Sequence, residues 1–316
     1  MESTTGASAS PVLEARHIKR HFGAVVALAD ASMTLYPREV VGLVGDNGAG
    51  KSTLLKILMG LVPPSSGSGF VLDQPLGGGR DDAANWKLRR LIGFMPEADA
   101  LVPGLHGIEY VALAGELYGM PRKQALRRAH EVLTYLGLDE ARYRNVEQYS
   151  AGMKQRVKLA QALVHDPPVL LLDEPTSGLD PAGRQTMLNL IRELGRNSGK
   201  SVLLSTHLLA DVQAACDRVV LIAGGEVRGN GTVAELLAKP GNRVKFRAGG
   251  NIEAFLGALP AAAAIGDDDE WRLDLPPGQD ASSLFALAHR SGAFITSLVP
   301  DEETLEDYFL RTLGRG

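Results

Sequence analysis

The stretch VVGLVGDNGAGKSTLLKILMG, Val40 to Gly60, decides the fold. Its opening residues form an apolar, branched run that reads as a strand buried on both faces. Its closing residues, STLLKILMG, carry leucines at helical spacing, and Gly60 with Pro63 and Pro64 stops that helix. Between them GDNGAGKS, Gly45 to Ser52, fits G-x-x-x-x-G-K-[ST], with the strand before and the helix after that the pattern requires. Glycines let the backbone curl until successive N–H groups face one anion. The helix start adds partial positive charge. Lys51 neutralises β and γ phosphates, and the Ser52 hydroxyl is a ligand for Mg²⁺. The stretch is a phosphate cradle inside a strand–loop–helix unit, which means an α/β core. Taken alone it fits a GTPase, a kinase, a helicase or a transporter ATPase. No N/T-K-x-D guanine-reading sequence accompanies it.

Working outward, a length of 316 residues points to a main domain plus an appendage. A hydrophobic content of 45% fills a real core, and a net charge of −4 gives no basic balance for a nucleic-acid partner. The single cysteine, Cys216, excludes an intramolecular disulfide and fits a reducing compartment. Its setting in LLADVQAACDRVVLI reads as a small core residue rather than a reactive thiol. The longest run without a charge or a histidine, Ile57 to Leu72, is broken by PPSSGSG, whereas a spanning helix needs about 20 mostly apolar residues. If this protein serves a membrane, another chain supplies the spans. The first residues, MESTTGASAS, lack the basic start and apolar core of a signal peptide. Residues 1–11 read as a disordered leader.

From Val12 to about Leu35, short apolar stretches alternate with polar residues and turns, as in an antiparallel sheet. Residues 83–165 are expected to be mostly helical, with ANWKLRRLIGFMPE a helix entering a short strand. HGIEYVALAGELYGM and RKQALRRAHEVLTYLGL are helices ending near Gly119 and Gly137. PPVLLLDEP is a buried strand, GRQTMLNLIRELGRNSG a helix, KSVLLSTH a further strand, and DRVVLIAGGEV a strand entering a hairpin. Buried strands alternating with helices give a parallel sheet. Past AKPGNR the pattern changes to half-exposed strands (VKFRAG, WRLDL, AFITSLV) and amphipathic helices (ASSLFALAHRSG, DEETLEDYFLRTLG). This tail reads as a small α+β domain, and DDDE, 267 to 270, as a solvated loop.

Asp173 and Glu174 close the run VLLLDE, at the carboxyl end of a strand, where open α/β sheets bind ligands. Asp173 can hold Mg²⁺ through water. Glu174, one residue on, can polarise a water that attacks the γ-phosphate. Phosphoryl transfer needs positioning and charge neutralisation above all, and these residues supply both.

YSAGMKQRVKLAQAL, 149 to 163, decides among the nucleotide-binding options. With LLLDEPTSGLDP and STH it closely resembles the ATP-binding subunits of ABC transporters over residues 12–235. The tail ending LEDYFLRTL resembles the C-terminal extension of the multidrug and antibiotic exporter subgroup. The resemblance implies ATP and Mg²⁺ as cofactors. It also implies a P-loop NTPase core with an antiparallel β subdomain and a helical subdomain, about 98–165, together spanning 12–240. A C-terminal accessory domain follows at 241–316. Phe22 matches the aromatic that stacks on adenine. Gly45, Asn47, Gly48, Gly50, Lys51, Ser52 and Thr53 match the phosphate loop. Glu97, in GFMPEAD, falls where the family usually has the glutamine that reaches Mg²⁺ and the attacking water. A carboxylate also ligates Mg²⁺ but cannot donate a hydrogen bond when ionised. The exporter subgroup often shows this glutamate.

Ser150 and Gly152 match the signature motif, usually S-G-G-Q and here S-A-G-M. Asp180 matches the loop that crosses between subunits, and His207 the switch histidine that contacts the γ-phosphate. In the family the signature acts in trans. One phosphate loop and one signature therefore imply half of a head-to-tail dimer that sandwiches two ATP molecules, with this same chain or a related cassette as the other half. The partner would be a transmembrane permease, and the location the cytoplasmic face of the cell membrane. The alternative is a soluble ABC-type ATPase acting on the ribosome or on DNA. Those relatives carry two cassettes, or a long coiled coil, neither of which this sequence has. An inactive regulatory cassette is disfavoured because Lys51, Asp173, Glu174 and His207 are all present.

Overall fold

The computed structural model describes residues 10–77, 82–98, 100–237, 243–259, 264–265, 270–276 and 282–300. The chain forms two compact units, residues 1–232 and 233–316.

The first unit opens with β1 (Leu13–Phe22) and β2 (Val25–Leu35), paired antiparallel. Next come β3 (Val40–Val44), α1 (Lys51–Leu58), β4 (Ser66–Val71), β5 (Gln74–Pro75), α2 (Asp82–Arg90) and β6 (Ile92–Met95). Three helices follow: α3 (Gly107–Leu117), α4 (Arg122–Tyr135) and α5 (Ala151–Leu163). The unit ends with β7 (Val169–Asp173), α6 (Pro181–Arg196), β8 (Ser201–Thr206), α7 (Leu209–Ala215) and the hairpin β9 (Arg218–Ala223) to β10 (Glu226–Thr232). Ten strands make one sheet in the order β5-β4-β1-β2-β10-β9-β3-β8-β7-β6. β9, β3, β8, β7 and β6 run parallel, while β1, β2, β4 and β5 are antiparallel.

The parallel strands separate two cores, and the alternation of strand side chains assigns residues to each. Leu170, Leu172, Val202 and Leu204 face a cluster that includes Val111, Ala129, Leu133, Val157, Leu188 and Ile191. Leu171 and Leu203 face the opposite cluster, with Leu13, Ile18, Leu28, Leu54, Leu55 and Leu58. A strand buried on both faces has no polar side, which is why VLLLD and SVLLST read as continuous apolar runs. Cys216 packs against the first cluster, and burial pushes its thiol pKa up, as expected of a core residue.

The second unit contains α8 (Val233–Leu237), β11 (Arg243–Gly250), α9 (Ile252–Gly257), β12 (Ala264–Ile265), β13 (Trp271–Asp274), α10 (Ser282–Arg290) and β14 (Ala293–Pro300). Its sheet has the order β12-β13-β11-β14, antiparallel throughout. From β11 onward this is the β-α-β-β-α-β split arrangement. Val244, Phe246, Phe255, Leu273, Leu284 and Ala288 form its core, with Phe246 and Phe255 edge to face at 5.6 Å. The leader 1–9, the acidic residues 267–269 and the expected last helix, 301–314, lie outside the described residues.

Candidate functional site

Four neighbouring parallel strands deliver their C-terminal ends to one edge of the sheet, where open α/β sheets bind ligands. β3 leads into the loop Gly45–Gly50 and then α1; β8 leads into His207; β7 ends at Asp173; β6 leads into Glu97. A cavity of about 410 Å³ lies over them, lined by residues 46–53 with Glu97, Glu174, Val25, Val26 and Ala27.

The loop is shaped by two glycines. Gly50 has φ +106°, and a Cβ there would lie 2.7 Å from the Ala27 carbonyl oxygen. At Gly45 a Cβ would lie 2.2 Å from the Ile222 carbonyl oxygen. The backbone thus sits too close to β2 and β9 for any side chain. Lys51 is buried, and its ammonium donates to the carbonyl oxygens of Gly45 (2.7 Å) and Asp46 (3.3 Å). It also stands 3.6 Å from Glu174 Oε1. An ammonium held across the mouth of its own loop is placed to meet an anion that enters it.

The acidic side of the cavity is built on β7 and β8. Ser52 Oγ donates to Asp173 Oδ1 at 3.3 Å, and Ser205 Oγ donates to the same oxygen. The Glu174 N–H points at Ser205, 3.2 Å from its carbonyl oxygen and 3.2 Å from its hydroxyl. Glu174 itself has φ +47°, in the left-handed region. Its Oε2 lies 3.0 Å from His207 Nδ1, a hydrogen bond that needs the proton on Nδ1. One buried carboxylate therefore sits between Lys51 and His207.

A hydroxyl and a carboxylate 3.3 Å apart are hard oxygen donors suited to Mg²⁺, with the Glu97 carboxylate lining the same cavity. Among the described residues no cluster of three His, Cys, Asp or Glu forms a cage for a metal. Mg²⁺ keeps several waters and binds through one or two carboxylates plus substrate phosphates.

The structure groups Asn47, Gly48, Gly50, Lys51, Ser52, Thr53, Glu97 and Glu174 around the cavity, with Gly45, Asp173 and His207 touching that set. Phe22 ends β1 with its ring exposed and the Arg20 guanidinium 4.4 Å above it; Val25 and Val26, not Phe22, line the cavity. Ser150, Gly152 and Asp180 do not line it. Ser150 caps α5 by accepting from the Met153 N–H (3.4 Å), and Asp180 caps α6 by accepting from the Gly183 N–H (3.0 Å).

Two residues escaped the reading of the sequence. Ser205 holds the Asp173 carboxylate and the Glu174 N–H, and its signal is the first letter of STH, two positions before His207, to which no role is attached. Lys158 is fully buried on α5 and donates to the carbonyl oxygens of Pro96 (3.0 Å) and Glu97 (2.9 Å). Its signal is a lysine inside the apolar run VKLA.

Comparison with known proteins gives a single picture. The sequence family described as ABC transporter matches residues 28–177. The linearmycin resistance ATP-binding protein LnrL of Bacillus subtilis (strain 168) is 34% identical over 96% of this chain and 99% of its own. The Nod factor export ATP-binding protein I of Cupriavidus pinatubonensis is 30% identical over 96% and 91%. The methionine import ATP-binding protein MetN of Brucella abortus is 33% identical over 74% and 63%. Among solved structures, the ATP-binding cassette MJ0796, a dimer in a post-hydrolysis state with ADP and Pi, superposes with a TM-score of 0.64 at 28% identity, over 70% of this chain and 98% of that one. The protein cbiO1 of Clostridium perfringens, part of the ABC transporter complex cbiONQ, reaches 0.66 at 29%, over 72% and 91%.

Proposed function

Because this chain belongs to the family of ABC transporter ATP-binding subunits, we propose that it is the ATPase of an exporter, working as one half of a closed pair that drives a separate permease. The carrying observation is that four adjacent parallel strands bring Lys51, Ser52, Glu97 and Glu174 to one cavity, with Asp173 bonded to Ser52 and His207 to Glu174 behind them. The loop and Lys51 bind the β and γ phosphates of ATP. Ser52, Asp173 and Glu97 would hold Mg²⁺, which when bound offsets phosphate charge. Glu174 orients the attacking water and takes its proton, and His207 fixes the Glu174 carboxylate through Nδ1 and reaches the γ-phosphate through its other nitrogen. Phe22, exposed at the end of β1 and outside the cavity lining, is assigned to the adenine on the family resemblance alone.

Ser150 and Gly152 stand at the start of α5, outside the cavity of their own copy. They are assigned to the γ-phosphate of a second copy or related cassette, with Asp180 in the same crossing. A serine hydroxyl at a helix start suits an anion. No helix among the described residues is long and apolar enough to cross a membrane, which supports a peripheral place on the cytoplasmic face beside a permease. The outward direction rests on coverage. The relatives named for resistance and for export align along 96% of this chain, tail included, whereas the import relative stops at 74%. The deciding experiment is purification from detergent-solubilised membranes: a multi-span permease should come with the chain and accelerate its ATPase. Purification without a permease, from the soluble fraction alone, would defeat the reading.

A further inference from the structure

Lys158 is a fully buried lysine in a run of buried residues, Val157 to Ala160. Removing an ammonium from water costs several kcal/mol unless other groups compensate, and an apolar residue would fill the same space on α5 without that cost. What the ammonium does at this position is bind: it donates to the carbonyl oxygens of Pro96 and Glu97 at 3.0 and 2.9 Å. Those peptides follow β6 and carry Glu97, whose side chain is exposed and lines the nucleotide cavity. One turn earlier on α5, Gln155 donates to the Ser177 carbonyl oxygen at 2.8 Å, in the loop that follows Glu174. The helix that begins at Ser150 therefore grips both loops that bring carboxylates to the cavity.

We propose that Lys158 is a positioning residue for ATP hydrolysis: its ammonium clamps the Pro96–Glu97 backbone to α5 and so fixes where the Glu97 carboxylate stands over the cavity. This rests on the reading above that Glu97 serves the nucleotide. The clamp joins residues that are far apart in the chain, and it also sets the register between the Glu97 loop and the helix that starts at the signature serine. A displaced carboxylate damages the chemical step more than the binding of ATP, whose phosphates are held by the loop and Lys51.

The test uses the full chain with Lys158→Met, Glu97→Ala and the double variant. Each is measured for kcat and KM of Mg-ATP hydrolysis and for binding of a fluorescent ATP analogue. Lys158→Met is expected to lower kcat about 10- to 100-fold while KM and analogue affinity stay within about twofold of the parent, a split that general loosening of the fold would not give. The double variant should be no slower than the slower single one, because both changes act on the same carboxylate. A parental kcat in Lys158→Met, or losses that multiply in the double variant, would overturn the proposal while leaving the Glu97 reading standing. A parental kcat in Glu97→Ala alone would remove both. Should the methionine variant not fold, Lys158→Leu removes the donor with a second apolar side chain and is read by the same outcomes.

Discussion

Glu174 holds φ at +47°, a conformation that costs a residue with a side chain roughly 1–3 kcal/mol. The surroundings hold it there. Its N–H is fixed on Ser205, one carboxylate oxygen faces Lys51 at 3.6 Å, and the other meets His207 at 3.0 Å. The strain turns the side chain off the line of β7 and into the cavity, while Asp173, one residue earlier, stays on Ser52 and Ser205. Glu174→Gln preserves size but leaves one acceptor oxygen, for Lys51 or for His207, and cannot take a proton. Turnover should fall about 10²–10⁴-fold, the usual worth of a general base, while ATP affinity is kept. Phosphate release measured beside nucleotide binding checks both halves, and a variant hydrolysing at the parental rate would remove Glu174 from the base's role.

At the level of elements, the loop between β3 and α1 depends on backbone approach more than on side chains. Gly50→Ala would place a methyl 2.7 Å from the Ala27 carbonyl oxygen at φ +106°, so β2 or the loop must move. A loss of about 2–3 kcal/mol in stability is expected, with ATP binding weakened alongside; urea denaturation and nucleotide titration would report it. The same loop shows why so much could be read from the chain. Gly45 to Thr53 is contiguous, and glycine, lysine and serine in that spacing have one common use. β3, β7 and β8 were equally legible, since strands buried on both faces leave unbroken apolar runs. β4, in SGSGFV, was not legible because glycines and serines mark turns more often than strands, and its order comes from pairing with β1. α7 and α9, at about two turns each, are too short to show a period. Lys158 and Ser205 stayed hidden because their partners lie 61 and 31 residues away, and a polar letter in an apolar run does not say what it touches.

Across the molecule, stability is tied to pH through groups remote from the cavity. His165 follows α5, stacked on Tyr118 at 3.6 Å with Nε2 on the Ile92 carbonyl oxygen and Nδ1 buried without a partner. Burial lowers its pKa to about 4. Between about 6.5 and 4 the unfolded chain takes up a proton there that the folded chain refuses, so stability falls as pH drops through that window. Burial also raises the Tyr110 pKa to about 12, so stability falls again as pH rises from about 10 toward 12. The urea midpoint should therefore drop between pH 7 and pH 5, with His165 supplying about 1–2 kcal/mol. His165→Gln should flatten that limb; an unchanged slope would take the histidine out of the account. The assembly supplies the last test. The cavity in one copy is lined by Lys51 but by neither Ser150 nor Gly152, and on the proposed reading a second chain supplies them. Gly152 has room for a side chain, its nearest neighbour being Leu179 at 3.8 Å, so Gly152→Asp should fold. The added carboxylate would meet the γ-phosphate of the opposite copy and repel it. Lys51→Ala disables its own cavity, and Gly152→Asp disables its neighbour's. Each variant alone should be inactive, yet a mixed pair of the two contains one undamaged Lys51 facing one undamaged Gly152. Mixing the purified variants should restore part of the ATPase activity, because in a head-to-tail pair both lesions fall on a single site. Two variants that stay silent when mixed, with mixed pairs demonstrably formed, would mean that each chain builds its site from its own residues.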